Sequence, residues 1–553
     1  MRKLKISLCL VVAVAFGGLA VGQEAKPAPR VADDFVSTRL SEPVPASLAA
    51  ALAGIKAPAL AASIAFLASP ALEGRGLGSR GLDAAAEYVA ATLASAGIPP
   101  LAGQSERAAP EAYFQPVPVR EITGFSGEVT VERRQGEQVR SRSFLWGVDC
   151  LFPELPPQSF TAPVVFAGYG IREETLGRDD YHGLDVRGRI VLVFGGLPPG
   201  AEWQKPELMA RYDAEKTRER YAAKLETARA LGAVAVLGVE GDGFATRLVP
   251  KEKIEARFYL PYEGAGTAEP PPLVRISPVA ADSLLGAANL DSTAARAAKP
   301  LALPAVTATI RTGGNERLIM SRNVVGSIAG ADPRLREEAV VIGAHMDHLG
   351  RVGEVVYPGA DDNASGVAAL LEIAKTFAAS PGRPKRTLVF TFWTGEEEGK
   401  FGSGHWVRHP LWPLRHTLAY LNLDMIAHPW SMDEIRKLVA DTGLPNGEQF
   451  LATVKPADFA EPGVAEWSPD LAEVLRRAGP AAGLALHLDR TDGKNGGSDY
   501  RDFARAGLPW VRFFGNFFPA YHEPGDTADQ LDPIQVQRMA RLCLATAWLL
   551  ANR

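Results

Sequence analysis

The spacing of apolar and polar residues changes several times along the chain, and each spacing predicts a different element. Apolar residues recur at helical spacing over residues 82–96 and glycine follows, which predicts an amphipathic helix. Short apolar runs such as 163–167, 189–194 and 233–239 predict buried strands, and residues 221–231 have a helical pattern. After residue 320 the predicted strands are 339–344, 387–393, 417–423 and 508–514, and the predicted helices are 366–379 and 533–551.

This alternation of strand and helix predicts an α/β fold, with a mostly parallel mixed sheet covered by helices on both faces. Residues 146–300 differ in texture and predict a separate, strand-rich α/β module inserted in the main domain. The main domain then comprises an N-terminal part at 46–145 and a larger part at 301–553. A proline-containing linker is predicted at 23–45.

The first 22 residues have the pattern of a secretory signal. Arg2, Lys3 and Lys5 precede an apolar stretch, and Ala20-Val21-Gly22 is a typical cleavage site before Gln23. The apolar stretch is shorter than the roughly 20 residues that a spanning helix needs, so we expect export to the periplasm or the medium without stable membrane insertion. The retained-anchor alternative stays open.

Composition narrows the possible partners. The 553 residues carry 59 basic and 64 acidic side chains, for a net charge of -5, and the basic residues are scattered. The charge therefore gives no support for electrostatic binding to nucleic acid. Of three cysteines, Cys150 and Cys543 remain after signal removal, and two separate buried thiols are expected rather than a disulfide. The oligomeric state is not specified.

Residue types that bind metals follow several predicted strands at the point where each strand ends, and two more lie in the segment that opens the helix at 366–379. Because the carboxyl ends of parallel strands meet at one edge of a sheet, these residues are expected to lie together. In chain order they are His345, Asp347 and His348, then Asp361 and Asp362, then Glu396, Glu397 and Glu398, then Asp424, and finally Tyr521, His522 and Glu523.

Each of these residues alone has an ordinary explanation, such as a loop histidine, a solvated acidic run or a helix N-cap. Their occurrence together has no such explanation, because placing several carboxylates side by side costs free energy unless a cation compensates their charge. A mixed nitrogen and oxygen donor set suits Zn²⁺, with Mn²⁺ or Co²⁺ as alternatives. Five ligands exceed one catalytic zinc but suffice for two metals about 3.5–4 Å apart if one carboxylate bridges them.

These segments together resemble the metal-binding motifs of the M28 zinc aminopeptidases, in the same order along the chain. The resemblance is carried by residues 343–350, 358–366, 396–403, 423–424 and 521–527. Residues 146–300 resemble a protease-associated (PA) domain through 168–171 and 185–189, and residues 67–75 resemble the segment that precedes such an insertion. The larger part at 301–553 would be the catalytic domain.

The resemblance implies an exported exopeptidase with two zinc ions, which removes N-terminal residues from peptides. One metal would be held by His345, Asp362 and Asp424, and the other by Asp362, Glu397 and His522. Asp362 would bridge them rather than Asp361, because the family's bridging aspartate lies three residues before a Ser-Gly pair.

The resemblance also implies three catalytic roles. Glu396 would be the general base that takes a proton from the attacking water and passes it to the leaving amine. Asp347 would accept a hydrogen bond from His345 and fix its tautomer. Tyr521 would donate a hydrogen bond to the oxyanion, with a purely structural phenol as the alternative.

Two alternatives remain. A carboxypeptidase or dipeptidase with the same metals would need a cationic pocket residue, for which Arg351, Lys400, Lys494 and Arg512 are candidates. A non-enzymatic binding protein of the same fold is disfavoured by the complete ligand set. Ser498-Asp499 departs from the family pattern by continuing with Tyr500 instead of histidine. No role is assigned to His348, His405, His409, His416, His428 or His487.

Overall fold

The structure is a computed structural model that describes residues 34–40, 42–101, 111–152, 157–213, 217–241, 256–261, 272–445 and 447–553. The predicted signal peptide and the greater part of the predicted linker lie outside these residues. Within the linker, Phe35–Val36 forms a short strand that pairs with Ala485–His487, so this part belongs to the folded body.

The described residues form strands that we number in chain order. They are β1 Phe35–Val36, β2 Phe114–Gln135, β3 Gln138–Leu145, β4 Cys150–Leu151, β5 Gln158–Phe166, β6 Arg172–Glu173, β7 Arg178–Asp179, β8 Ile190–Phe194, β9 Ala235–Val239, β10 Ala256–Tyr259, β11 Leu273–Ile276, β12 Leu301–Ile328, β13 Ala339–His345, β14 Gly350–Val352, β15 Val355–Tyr357, β16 Thr387–Trp393, β17 Thr417–Leu423, β18 Phe459–Ala460, β19 Gly463–Ala465, β20 Ala485–His487, β21 Asp489–Thr491 and β22 Trp510–Phe513.

The α-helices are numbered in the same way. They are α1 Ala46–Gly54, α2 Ala57–Leu67, α3 Arg80–Ser95, α4 Pro206–Tyr212, α5 Thr217–Ala230, α6 Pro278–Leu285, α7 Gly366–Ala379, α8 Phe401–Arg408, α9 Met432–Thr442, α10 Gly447–Thr453, α11 Pro469–Ala482, α12 Tyr500–Arg505 and α13 Pro533–Asn552. A short turn of π-helix, Ala360–Ser365, leads directly into α7.

The central sheet has the order β21-β19-β22-β17-β13-β16-β12. Its middle is parallel, since β13 pairs in parallel with β16 and β17, and β17 with β22. The flanking strands β12 and β19 are antiparallel to their neighbours β16 and β22. The predicted mixed, mostly parallel sheet is therefore confirmed, and the predicted bounds of β16, β17 and α7 agree with the observed ones.

Both faces of this sheet are buried. Successive side chains of a strand point to opposite faces, so each strand contributes to two cores. On β13, Val340 and Ile342 join the core formed with helices such as α7 and α13, whereas Val341 joins a second core with Trp406 of α8 and Phe503 of α12. Continuous apolar strands are thus explained by helices on both faces.

Residues 150–300 form a second α/β layer system. The strands β5, β8, β9 and β11 lie in this order and are parallel, with β4 antiparallel at the edge. One face packs against residues of α4 and α6, and the other against Tyr221 and Ala228 of α5. The predicted strand-rich α/β character is observed, and the assignment as a PA-like domain stays a prediction.

Two long strands, β2 and β12, join the two layer systems and were not predicted. They pair antiparallel from Phe114 opposite Val324 to Arg133 opposite Val306. Gly313 lies at an irregularity in this pairing, and several β12 side chains nearby are exposed. The apolar alternation is interrupted there, so a local pattern does not indicate a strand of this length.

Cys150 and Cys543 are both free and buried, as expected. Cys150 lies in the core of the inserted region, and Cys543 lies in α13 within the main core. Among the described residues, no single helix combines the length and apolar character needed to cross a membrane. The consecutive helices α1 and α2 meet that test only as a pair bent by 43°.

Candidate metal centre

Four neighbouring parallel strands deliver four of the five predicted ligands to one edge of the sheet, and the turn before α7 supplies Asp362. His345 is the last residue of β13, and Asp424 directly follows β17. Glu396 and Glu397 follow β16 after a turn at Gly395, whose φ is 66°. His522 lies in the loop after β22. The strand order β22-β17-β13-β16 places these ends side by side, as expected.

The first group of donors surrounds His345, which is 1% exposed. Its Nε2 lies 3.2 Å from Asp424 Oδ1 and 3.4 Å from Asp362 Oδ1. One donor atom from each of these three residues lies within 4.8 Å of the others. The structure therefore brings together the three residues that the resemblance assigns to one metal.

The second group lies on the other side of Asp362. His522 Nε2 is 3.1 Å from Asp362 Oδ2 and 3.2 Å from Glu397 Oε2. The two oxygens of Asp362 thus face different histidines, Oδ1 towards His345 and Oδ2 towards His522. This is the arrangement required of a carboxylate that bridges two cations.

His348 belongs to this second group, although sequence reasoning assigned it no role. Its Nδ1 lies 2.7 Å from Glu397 Oε1 and 3.7 Å from Asp362 Oδ2, and its ring meets His522 edge-on at 5.7 Å. Its donor atom also falls within 4.8 Å of those of Asp362 and Glu397. Its position three residues after His345 was the available signal, because a short loop from the same strand end stays at the same site.

The hydrogen bonds of Asp361 and Asp362 show that the two neighbouring carboxylates have different roles. Asp361 Oδ1 accepts from the Ser365 hydroxyl at 2.9 Å and the Ala427 amide at 2.9 Å, and its Oδ2 lies 2.6 Å from His428 Nδ1. Asp361 thus stabilises the turn, and Asp362 is the residue that faces His345 and His522.

Asp347 and Asp526 hold the backbone of the ligand loops. Asp347 Oδ1 accepts from the Glu396 amide at 3.1 Å, and its Oδ2 accepts from the Glu397 amide at 3.2 Å. His345 Nδ1 lies 3.1 Å from the Asp347 backbone carbonyl but 3.9 Å from its carboxylate. The predicted hydrogen bond from His345 is therefore made by the carbonyl. The carboxylate instead orients the paired glutamates.

Asp526 plays the matching part for the other loop. Its Oδ1 accepts from the Asp361 amide at 2.8 Å, and its Oδ2 accepts from the Asp362 amide at 3.1 Å. The side chain is fully buried. Both carboxylates therefore set the positions of neighbouring ligands through backbone N–H groups.

Glu396 forms an ion pair that the sequence did not indicate. Its Oε1 lies 2.7 Å from Lys400 Nζ, and the two side chains are only 7% and 12% exposed. Lys400 precedes α8 and has a left-handed backbone conformation, with a φ of 66°. Lys400 thus places a buried positive charge beside one carboxylate oxygen of Glu396.

Tyr521 lies beside the second group. Its ring stacks on His522 at 3.8 Å and meets Phe517 at 5.2 Å. Tyr521 is 36% exposed. Burial raises the pKa of its phenol, and the carboxylates of Asp362 and Glu397 raise it further, so the hydroxyl keeps its proton as a donor.

The carboxylates and histidines of the cluster shift one another's pKa values. Burial raises the pKa of Glu396 well above its usual range and that of Asp362 to about 6. Burial also opposes ionisation of Glu397, but hydrogen bonds with His348 and His522 outweigh it and hold the pKa of Glu397 well below its usual range. The pKa of His522 rises to about 10, because these carboxylates outweigh burial.

A proton on His522 compensates part of the carboxylate charge, as a divalent cation would. The donor set of imidazole nitrogens and carboxylate oxygens, buried and clustered around one shared aspartate, fits zinc-type ions. Of the other histidines without a predicted role, His428 pairs with Asp361, and His487 pairs with Glu461 at 2.7 Å. The departure at Tyr500 is explained by packing, since its ring stacks on Trp510 at 4.4 Å.

Sequence comparison with known proteins agrees with this site. Residues 323–547 match the profile of peptidase family M28. The chain is 25% identical over 486 residues to a protein named probable lipoprotein aminopeptidase LpqL from Mycobacterium tuberculosis, covering 83% of this chain and 77% of that protein. It is 31% identical over 257 residues to a probable zinc metalloprotease from Pyricularia oryzae, covering 42% of this chain and half of that protein.

Among solved structures, an aminopeptidase from Aneurinibacillus sp. strain AM-1 aligns with 91% of this chain and 96% of its own, at 20% identity and a TM-score of 0.49. The family match includes every strand-end donor described above, from His345 to His522. Residues 323–547 therefore have the sequence of a family M28 peptidase domain, and the protein is a peptide hydrolase.

Proposed function

We propose that this protein is an exported aminopeptidase that uses two zinc ions. The observation that carries the proposal is the position of Asp362, whose Oδ1 lies 3.4 Å from His345 and whose Oδ2 lies 3.1 Å from His522. His345, Asp362 and Asp424 would hold one ion, and Asp362, Glu397 and His522 would hold the other. Bound zinc lowers the pKa of water and polarises the carbonyl of the scissile bond.

Glu396 would move the proton in this reaction. Lys400 holds Oε1, so Oε2 would accept the proton of the attacking water and then donate it to the leaving amine. Asp347 orients the backbone from which Glu396 projects. Tyr521, still protonated and stacked on His522, would donate a hydrogen bond to the oxygen of the scissile carbonyl as negative charge develops.

An aminopeptidase is favoured over a carboxypeptidase by the charges at the site. A C-terminal carboxylate needs a cationic partner, and two of the four candidates are already engaged. Lys400 pairs with Glu396, and Arg512 lies 3.4 Å from Asp489. The excess of carboxylates instead suits the ammonium group of a peptide N-terminus. The name of the Mycobacterium tuberculosis relative supports the same choice.

Export is supported by the signal-like residues 1–22 and by the word lipoprotein in that relative's name. Zinc is supported by the donor set and by the name of the Pyricularia oryzae relative. Metal analysis of the purified protein would count the ions, with two per chain expected.

The activity is tested with matched peptides that are free, blocked at the N-terminus or blocked at the C-terminus. We expect chelator-sensitive cleavage of free and C-blocked peptides and none of N-blocked ones. Cleavage that requires a free C-terminus would instead show a carboxypeptidase, and no chelator-sensitive cleavage at all would overturn the proposal.

The role of Glu396 is tested by Glu396→Gln, with Glu398→Gln in the same acidic run as the control. Losing a general base costs about 10²–10⁴-fold in turnover. We expect this loss in Glu396→Gln and near-normal turnover in the control. Turnover of Glu396→Gln within tenfold of the wild type would contradict the assignment.

A further inference from the structure

We propose that Arg75 is a positioning residue that holds two ligand loops of the metal centre together, so that the site is complete only with the segment 70–76. This inference rests on the proposed function, because it concerns the affinity of the same site for zinc. Arg75 lies about 270 residues before His345 and outside the segment 323–547 that matches the peptidase family.

The guanidinium of Arg75 is buried, with the residue only 1% exposed. Its Nε donates to the Met346 carbonyl at 2.7 Å, which directly follows His345. Its Nη1 donates to the Pro358 carbonyl at 2.8 Å, and its Nη2 donates to the Gly359 carbonyl at 2.8 Å. Nη1 also donates to the carbonyl of Leu67 at the end of α2.

The backbone of Arg75 adds a further bond to the same loop, since its carbonyl accepts from the His348 amide at 3.2 Å. One arginine therefore ties the loop of His345 and His348 to the turn that leads into Asp362. The rigid fork of guanidinium N–H groups suits this task, because it fixes several carbonyls in one geometry.

The turn that carries Arg75 fits closely against the intervening hairpin of β14 and β15. A Cβ atom on Gly74 would lie 2.3 Å from the Gly350 carbonyl oxygen and 2.4 Å from that of Tyr357. A Cβ atom on Gly76 would lie 2.9 Å from the Gly350 Cα. Backbone thus packs directly on backbone, and Arg75 itself has a φ of 54°, a conformation that a non-glycine residue rarely adopts.

The positive charge of Arg75 also suits its position beside the carboxylates of the metal centre. All four of its side-chain hydrogen bonds go to neutral carbonyls, while the surrounding charges are the carboxylates of Asp347, Asp362 and Asp526. Burial lowers the pKa of Arg75 to about 10, and these carboxylates oppose that change, so the side chain is charged at neutral pH. The cation thereby offsets part of the negative charge that the cluster carries.

The test measures zinc affinity of the purified full-length protein by competition with a chromophoric chelator. Groups that orient metal ligands typically contribute 10–100-fold to affinity, so Arg75→Lys and Arg75→Met are expected to weaken zinc binding by about that factor. The control is Arg386→Lys. Arg386 is also buried and donates to the carbonyls of Leu550 and Arg553, but it precedes β16 at the opposite edge of the sheet.

We expect the control to lower the melting temperature of the zinc-free protein while leaving zinc affinity within threefold of the wild type. Affinity within threefold for Arg75→Lys would overturn the inference. If the wild type itself bound no zinc, the proposed function would fail instead, so the two failures are distinguishable.

A second measurement needs no variant and so does not depend on folding of a mutant. Coupling between two sites is reciprocal, so zinc binding must stabilise the segment that stabilises the zinc site. In the wild type, zinc is expected to slow hydrogen exchange of residues 72–76 and to leave exchange around Arg386 unchanged. Equal exchange of residues 72–76 with and without zinc would overturn the inference.

Discussion

The role of Asp347 can be tested because the structure separates two explanations for it. Its carboxylate would either fix the tautomer of His345, as the family resemblance implies, or orient the paired glutamates. The structure favours the second explanation, since the carboxylate lies 3.9 Å from His345 Nδ1 but accepts from the amides of Glu396 and Glu397 at 3.1 and 3.2 Å. The perturbation is Asp347→Asn, which preserves the shape of the side chain.

The expected magnitude follows from these two hydrogen bonds. The asparagine oxygen keeps one of them, and its NH₂ group then faces the other backbone N–H. A hydrogen bond to a charged group contributes about 1.5–3 kcal/mol, and an unsatisfied buried donor costs about 1–3 kcal/mol. Both contributions describe the same two amide bonds, so they do not simply add. We expect the variant to lose about 2–4 kcal/mol of transition-state stabilisation, because Glu396 is no longer held in place. At 1.36 kcal/mol per factor of ten, this corresponds to roughly 30-fold to 10³-fold in rate.

The assay is steady-state hydrolysis of an aminoacyl p-nitroanilide over a series of zinc concentrations. Asp526→Asn is the matched control, because Asp526 supports two amides of the other loop, those of Asp361 and Asp362. Asp347→Asn should keep a low kcat even at saturating zinc, because the carboxylate of Glu396 is displaced. Asp526→Asn should weaken zinc binding and regain most of its kcat when zinc is saturating.

Two results would refute this reasoning. A kcat for Asp347→Asn within threefold of the wild type would show that the two amide bonds do not matter for Glu396. Full recovery of kcat at saturating zinc would show that Asp347 acts only on metal binding.

Three further predictions concern single side chains. Lys400→Met should lower kcat by roughly 10- to 100-fold with little change in KM, since a hydrogen bond between charged groups is lost, whereas Lys494→Met on the surface should not. His348→Ala should weaken zinc binding by about 10- to 100-fold in chelator competition, because Glu397 loses its partner at 2.7 Å, and unchanged affinity would exclude this role. Burial lowers the pKa of Lys224 to about 7, so between this pH and its unfolded value near 10.4 the unfolded chain binds more protons and stability rises with pH. The melting temperature of the wild type should therefore rise from pH 7 to 9 relative to that of Lys224→Met, and parallel curves would contradict the shift.

Sequence alone was sufficient where the signal is local and periodic. The strands β16 and β17 and the helix α7 agree with their predicted bounds, because buried parallel strands are continuous apolar runs and α7 begins after a distinctive turn. The long strands β2 and β12 could not be predicted in this way. Each pairs with a partner strand almost 200 residues away, and neither that partner nor the length of 22 and 28 residues follows from a local pattern.

The same distinction applies to the metal centre. The sequence by itself predicted that His345, Glu397, Asp424 and His522 meet at one edge of the sheet, because parallel neighbours place their carboxyl ends together. The choice of Asp362 over Asp361 came from the family resemblance.

Only the tertiary structure decided how these residues are held. It placed Lys400 on Glu396, His348 on Glu397 and Arg75 beneath both loops, and it gave the two amide bonds to the Asp347 carboxylate. The physical reason is that a strand's direction fixes where a side chain emerges. Its hydrogen-bond partners depend instead on the packing of segments that are distant in the sequence.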